Sequence, residues 1–340
     1  MATEKPIGIV GAGAWGTALA IHLAQCGHKV FIWALEKDVV KSINRKHRNE
    51  AFLSGYDLMP QIEATNNLED VAKHCQTLII TVPASANTEV ATVLSGALTE
   101  DHHVVLASKG FRETDGMLLS DVWAEVAPHV KKIAILSGPT FAHDLASGKP
   151  SACVVASTHD DVIRSVDKIF SLDDLRLYYS DDIIGVQVGA ALKNVIAIAA
   201  GVSDGLDMGE NMRAAIICRG LAEMMRYAEA VGGRRDTLAG LSGMGDVILT
   251  SSSPQSRNYR LGRSLARGLT IQEALDDVGA VVEGVQTARI VTMHGVSRGI
   301  DMAIIMAMDG IVNGDVDPAT AMRMLLSRPR ASEQERRSAS

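Results

Sequence analysis

Ile7-Gly8-Ile9-Val10-Gly11-Ala12-Gly13-Ala14-Trp15-Gly16 decides how the rest of this chain is read. A short apolar run ends in a G-x-G-x-x-G turn, and the alanine-rich stretch Thr17-Ala18-Leu19-Ala20 follows at once. Strand, glycine turn and helix start, in that order, are the first half of a βαβ dinucleotide site. Gly11 permits the tight turn, Gly13 lets the backbone approach a pyrophosphate, and Gly16 lets helix pack on strand. The helix N-terminus beyond them offers free N–H groups and a positive dipole end to the same pyrophosphate. A glycine turn serving packing alone accounts less well for the strand before it and the helix after it.

Outward from this turn, strand-like runs at residues 30–33, 77–82, 104–106 and 133–136 alternate with helix candidates at 13–24, 68–73, 87–94 and 117–126. Two more strands, at 152–156 and 175–179, flank a helix near 160–170. The alternation predicts an α/β fold, a Rossmann-like doubly wound and parallel-dominated sheet with helices on both faces. Asp181-Asp182 can cap a helix, and beyond them helical periodicity runs to about residue 328. Three parts are therefore expected: a dinucleotide-binding domain at 1–182, a mainly α-helical substrate and catalytic domain at 183–328, and a polar, flexible tail at 329–340. A chain of 340 residues also exceeds one ordinary core.

Hydrophobic residues make up 47% and charged ones 21%, the balance of a soluble globular protein. A net charge of −7 argues against nucleic acid as a partner but not against a small anionic substrate, which a few local cations can hold. Cys26, Cys75, Cys153 and Cys218 form no CxxC pair and read as reduced core residues of a cytoplasmic chain. No signal peptide is expected, because no charged segment leads into a long apolar run. Residues 183–200 are almost wholly apolar, but Gln187, Lys193 and Asn194 interrupt them. A lysine at the centre of a membrane span costs about 2.5–3.5 kcal/mol, so a buried helix is expected and no membrane span. The histidines, including adjacent His102 and His103, make no metal pattern, and no metal is expected.

Lys193 is the charge that the pattern does not explain. Its helix neighbours three and four positions away are Gly189, Ala190, Ile196 and Ala197, so no polar stripe carries it. A helical lysine is ordinarily solvated; one forced among apolar side chains has a lowered pKa and can exchange protons near neutrality. It is the candidate general acid and base, with Asn194 and Gln187 as polar company on the same helix. Asp246 reads as a partly buried carboxylate that pairs with a lysine, or else as a turn residue or helix cap. Ser256-Arg257-Asn258 reads as a polar loop that could clamp a phosphate, or as an ordinary basic surface loop. Lys109-Gly110 and Ser137-Gly138-Pro139-Thr140 follow strands, where doubly wound sheets place ligands, but Gly and Pro also mark plain turns.

Taken together, these pieces closely resemble the bacterial-type NAD(P)-dependent glycerol-3-phosphate dehydrogenase family. The blocks that carry the likeness are GAGAWGTALA (11–20), SKGF (108–111), SGPTFAHDLASGKPSA (137–152), IGVQVGAALKNVIAIAAGVSDGL (184–206), NMRAAIICRGLAEM (211–224), GMGDVILT (243–250), QSRNYR (255–260) and VVEG (281–284). The resemblance implies reversible reduction of dihydroxyacetone phosphate to sn-glycerol 3-phosphate, supplying phospholipid synthesis in the cytoplasm. It implies Lys193 as proton donor and acceptor, with Asp246 beside it. Lys109, Gly138, Thr140, Asn194, Thr250, Ser256, Arg257 and Asn258 fall at substrate positions, Arg257 and Asn258 at the phosphate. Gly11, Gly13, Ala14, Trp15, Gly16, Leu35, Glu36, Lys109, Ala142, Arg257, Val281 and Glu283 fall at cofactor positions.

Two departures stand out. Ala14 replaces a serine common in the family, and Leu35 replaces an arginine or histidine suited to the 2′-phosphate of NADPH. Glu36 could accept from a ribose 2′-OH, or it could simply serve a helix dipole. The NAD(P)H reading therefore leans towards NADH, with Lys37 or Arg45 as compensating cations otherwise. The competing readings are another two-domain hydroxy-acid dehydrogenase and a dinucleotide-sensing module without catalysis. The apolar helical half is compatible with a homodimer.

Overall fold

A computed structural model describes residues 5–329. β1 (Ile7–Val10), α1 (Ala14–Gln25), β2 (Val30–Trp33) and α2 (Lys37–Lys46) form the opening βαβ unit. An antiparallel pair follows, β3 (Arg48–Asn49) with β4 (Leu53–Asp57), and then β5 (Ile62–Thr65). The alternation resumes with α3 (Leu68–His74), β6 (Thr77–Ile80), α4 (Asn87–Ser95), β7 (His103–Leu106), α5 (Leu119–Val126) and β8 (Lys132–Ser137). It ends with α6 (Ala142–Ala146), β9 (Ser151–Ala156), α7 (Asp160–Ile169) and β10 (Leu175–Ser180).

Eight of these strands make one sheet in the order β10-β9-β8-β7-β6-β1-β2-β5. Only the β8–β9 pair is antiparallel. β1, β6 and β7 are buried along their whole lengths, as strands covered by helices on both faces must be. The strand order reverses between β1 and β6, and a crevice at such a switch point is where a doubly wound sheet takes its ligand.

Among the described residues every element after β10 is helical: α8 (Ile183–Gly205), α9 (Glu210–Ala230), α10 (Arg235–Leu238), a π-helical turn at Leu241–Gly245, α11 (Asp246–Ser251), α12 (Arg257–Ala266), α13 (Ile271–Val278), α14 (Glu283–Arg298), α15 (Ala303–Val312) and α16 (Pro318–Leu326). Asp182 caps α8 as expected: its Oδ1 accepts from Gly185 N at 2.8 Å, while Oδ2 accepts from Arg234 N and Thr237 Oγ1 at 2.9 and 2.6 Å. α8 is long and apolar enough to cross a membrane, yet 89% of its apolar window is buried inside the protein. α9, α11, α12 and α14 pack around it. Glycines bring α12 against it backbone to backbone; a Cβ on Gly262 would strike Ile198 O, and one on Gly201 would strike Tyr259 O.

One expectation needs correction. Cys75 and Cys153 are buried, but Cys26 is half-buried and Cys218 is exposed, so neither is a core residue. On α9 the stripe turned inward is Ile216, Gly220, Met224 and Tyr227, and helical spacing puts Cys218 off it. The expected tail at 329–340 lies, apart from Pro329, outside the described residues.

Candidate active site

The glycine turn is built as its sequence requires. Gly11 has φ +118°, and a Cβ on Gly16 would strike the Gly11 carbonyl oxygen. Gly13 ends the turn as the N-cap of α1, and a Cβ there would meet nothing within 4 Å. That open space before a helix N-terminus fits a pyrophosphate. Thr81 Oγ1 donates to Gly11 O at 2.8 Å, and Asn49 Nδ2 to Ala12 O at 2.7 Å and Thr17 Oγ1 at 2.8 Å. Asn49 is fully buried at the end of β3, in a stretch whose sequence shows no clear period. The Trp15 Nε1 is buried without a partner, a donor left for something outside the protein. At the end of β2, Leu35 is 73% exposed. Glu36 is the N-cap of α2 but makes no capping bond, so its carboxylate is uncommitted by the fold.

Across the switch point, Lys109, Lys193 and Asp246 form one cluster. Asp246 is fully buried at the first position of α11, where the π-helical turn delivers it against α8. Its Oδ1 takes Lys193 Nζ and Thr250 Oγ1, the latter at 3.2 Å; its Oδ2 takes Lys109 Nζ at 3.1 Å. Thus the carboxylate pairs with a lysine rather than acting as a plain turn residue. Burial pulls the Lys193 ammonium down to about 7, with the Lys109 charge adding to it and Asp246 opposing. Burial works against the charge on Lys109 too, but Asp246 beside it holds that lysine above its ordinary value. One carboxylate is therefore shared by two amines whose protons are held with very different strength.

Asn194, next along α8, accepts from Asn258 Nδ2 at 3.0 Å, and Asn258 Oδ1 accepts from Gly284 N at 3.0 Å. Gln187 does not join them. Its amide is used by Ser120 N and Oγ at 3.0 and 2.9 Å, because a heptad of α8 carries it some 10 Å along the axis, out of reach. Ser256-Arg257-Asn258 is a helix start rather than a loop: Ser256 caps α12, accepting from Tyr259 N at 3.2 Å. Arg257 is exposed there, with Nη1 3.4 Å from Val281 O, and Arg260 one turn on has a buried Nε without a partner. Glu283 Oε1 accepts from Ala84 N at 3.3 Å, and burial pushes this carboxyl above its ordinary value. Gly138 has φ +152°, and a Cβ there would sit 2.8 Å from Ala152 O and Cys153 Cα. Thr140 Oγ1 is 3.2 Å from Cys153 Sγ, a thiol that burial pushes up to about 11. Ala142 opens α6. Among the described residues no group of three His, Cys, Asp or Glu side chains could hold a metal ion.

Family models bear on both halves. The N-terminal model of NAD-dependent glycerol-3-phosphate dehydrogenase matches residues 6–163, and its C-terminal model matches residues 182–323. The chain belongs to the NAD-dependent glycerol-3-phosphate dehydrogenase family. Among its relatives, the glycerol-3-phosphate dehydrogenase [NAD(P)+] of Erythrobacter litoralis is 42% identical over 97% of this chain and 98% of its own length. That of Rhodospirillum rubrum is 40% identical over 95% and 92%. The crystal structure of glycerol-3-phosphate dehydrogenase from Coxiella burnetii superposes with a TM-score of 0.92 at 35% identity, covering 96% of this chain and 99% of that one. A D-mandelate dehydrogenase, at 14% identity and a TM-score of 0.62, shares the fold alone.

Proposed function

We propose that Lys193 is the general acid and base of the reaction this family member carries out, the NAD(P)H-dependent reversible reduction of dihydroxyacetone phosphate to sn-glycerol 3-phosphate for phospholipid synthesis. The observation that carries the reading is the Lys193–Asp246–Lys109 cluster, with Lys193 and Asp246 buried and Lys109 just beyond the end of β7. A nicotinamide held in the crevice would supply or remove the hydride at C2 of the substrate. As negative charge grows on the carbonyl oxygen, the Lys193 ammonium stabilises it and gives up its proton. In the reverse direction neutral Lys193 takes the alcohol proton. Asp246 orients both amines. Lys109, being more firmly protonated, stays a fixed cation beside the reacting oxygen.

The substrate phosphate belongs at the N-terminus of α12, where free N–H groups, Arg257 and Asn258 converge. Ser256, Thr250 and Asn194 line the same approach, and Gly138 and Thr140 close it from the sheet. For the cofactor we assign Gly11, Gly13, Ala14, Trp15 and Gly16 to the pyrophosphate turn, Leu35 and Glu36 to the adenosine ribose, and Lys109, Ala142, Arg257, Val281 and Glu283 to the nicotinamide half. Two working parts meet at residue 182, as supported by β10 ending at Ser180 and α8 starting at Ile183. A cytoplasmic setting and a homodimer complete the proposal.

The test is oxidation of NADH and of NADPH with dihydroxyacetone phosphate, for wild type and Lys193→Ala. Wild type should turn over, and the variant should bind cofactor yet lose on the order of 10³-fold in kcat. A folded Lys193→Ala enzyme with wild-type turnover would reject the assignment. Folded wild type that binds cofactor but turns over with neither would point to the hydroxy-acid or sensing alternatives.

A further inference from the structure

The segment between β7 and α5 begins in the active site and ends elsewhere. It leaves the sheet at Ser108, whose Oγ donates to Val82 O at 2.6 Å, and at once places Lys109 on Asp246. It then folds into a hairpin. Phe111 bridges Leu118, Arg112 N donates to Met117 O at 2.9 Å, and Gly116 N donates to Arg112 O at 2.8 Å. The Arg112 guanidinium locks the turn from one side, with Nε 2.9 Å from Asp115 Oδ1 and Nη1 3.0 Å from Glu125 Oε1 on α5. So braced, residues 111–118 form one hydrogen-bonded unit.

The tip of that unit rests on α14. The backbone oxygen of Asp115 lies 2.7 Å from His294 Nε2, and a carbonyl oxygen only accepts, so Nε2 carries the proton. The other ring nitrogen, Nδ1, lies 3.2 Å from the hydroxyl of Tyr227, which donates to it in the neutral ring. Tyr227 is buried on α9 and meets Phe111 edge to face, with ring centroids 6.0 Å apart. Gly116, at φ +69°, lies directly on the imidazole; a Cβ there would strike His294 Cε1. Around this contact the packing is open: Phe111, Leu118, Tyr227, Val231 and His294 help line a cavity of about 400 Å³. Phe111 and Leu118 bury the base of the hairpin in the helical core, and Gly116 also lies against Ile290; at the tip itself His294 supplies the directional bond.

We propose that His294 is a positioning residue for the reaction: by seating the tip of the 111–118 hairpin on the helical half, it holds Lys109, at the hairpin's base, on Asp246. The inference rests on the reaction proposed above. Gly110 makes the lever work. At φ +151° it is packed on Ala84, so the chain turns sharply between Lys109 and the hydrogen-bonded unit. A tilt at the tip is thereby transmitted to the lysine. The groups that face Lys193 are Asp246 from α11, Lys109 from this segment and Cys153 from β9. Withdrawing the Lys109 ammonium removes a like charge from Lys193, which then holds its proton to higher pH.

The experiment is a double-mutant cycle of His294→Leu and Lys109→Met. It is read by single-turnover rates and by the pH profile of glycerol 3-phosphate oxidation. His294→Leu should bind NADH normally, lose about tenfold in kcat, and move the acid limb of the profile to higher pH. In the Lys109→Met background the same substitution should add little. His294→Gln, which keeps an N–H for Asp115 O, should recover most of the rate. An equal loss in both backgrounds, or unchanged kcat and pH profile in His294→Leu, overturns the proposal. Should His294→Leu not fold, Tyr227→Phe is put through the same cycle and judged by the same criteria. Wild-type turnover is measured first. Its absence would reject the reaction itself; the clamp would then be judged by hydrogen exchange at 109–118, which His294→Leu must accelerate if the clamp exists.

Discussion

Lys193 owes its chemistry to a conflict between its neighbours. Burial and the Lys109 charge bring it to about 7, against the pull of Asp246. Reduction needs the ammonium and oxidation needs the amine. The rate of dihydroxyacetone phosphate reduction should therefore fall as pH rises through about 7, and oxidation should rise over the same window. Parallel pH–rate profiles in both directions check this; profiles that move together would contradict it. At the proposed ribose end, exposed Leu35 offers no cation and Glu36 makes no capping bond. Leu35→Arg should shift the kcat/KM ratio towards NADPH by at least about tenfold, since a guanidinium there can pair with a 2′-phosphate. The lysine was legible in the sequence because a lone charge in an apolar helical period demands a reason. Asn49 was not, since its role depends on a carbonyl 37 positions earlier in the chain. Nothing in the composition of the stretch around it marks that contact.

Elements depend on bonds that cross between them. Asn49→Ala should strip the glycine turn of its support on Ala12 O. The expected cost is about 1–3 kcal/mol in stability, with a raised KM for NADH. Chemical denaturation and cofactor titration measure both, and an unchanged KM would show that the turn holds without it. Glu223 on α9 has a comparable task, accepting from Ile304 N and Ile305 N at 2.8 and 3.1 Å at the start of α15. Burial pushes this carboxyl up to about 7, from the usual 4.5. A folded-state pKa above the unfolded one means that the group's contribution is full below about 4.5 and is lost as pH rises through about 7. The gap in melting temperature between Glu223→Gln and wild type should accordingly widen in the variant's favour across that window. A pH-independent gap would show that folding leaves the Glu223 pKa unshifted.

Elements with strong periodicity were readable. β3, β4 and β5 were not, being too short and too mixed in polarity to show a period of two. The start of α12 reads as a loop because its cap and first turn, Ser256-Arg257-Asn258, are polar and show no apolar helical period.

At the scale of the molecule, the glycine turn and the change of period after Asp182 were enough to indicate a parallel-dominated sheet followed by helices. They could not indicate that Phe111 and Leu118, from the first half, sit in the core of the second. Exposed Met293 and Val296 on α14, Met306 on α15, and Met324 and Leu326 on α16 support the proposed homodimer. Sedimentation should give about twice the 36.2 kDa chain mass, falling to one chain in Met293→Glu/Val296→Glu; a wild-type monomer would reject it.

The near-complete burial of α8 has a bearing on how the chain is made. Most of the helices that shield it are encoded after it, so on the ribosome it emerges as a bare apolar stretch before its cover exists. To a translocon such a stretch looks like cargo. Lys193, near its middle, raises the cost of insertion by about 2.5–3.5 kcal/mol. The same ammonium that suits proton transfer in the finished enzyme therefore keeps the nascent segment out of the bilayer. In an insertion reporter carrying residues 183–205, Lys193→Leu should raise the inserted fraction several-fold; equal insertion of both sequences would show that the lysine has no such effect.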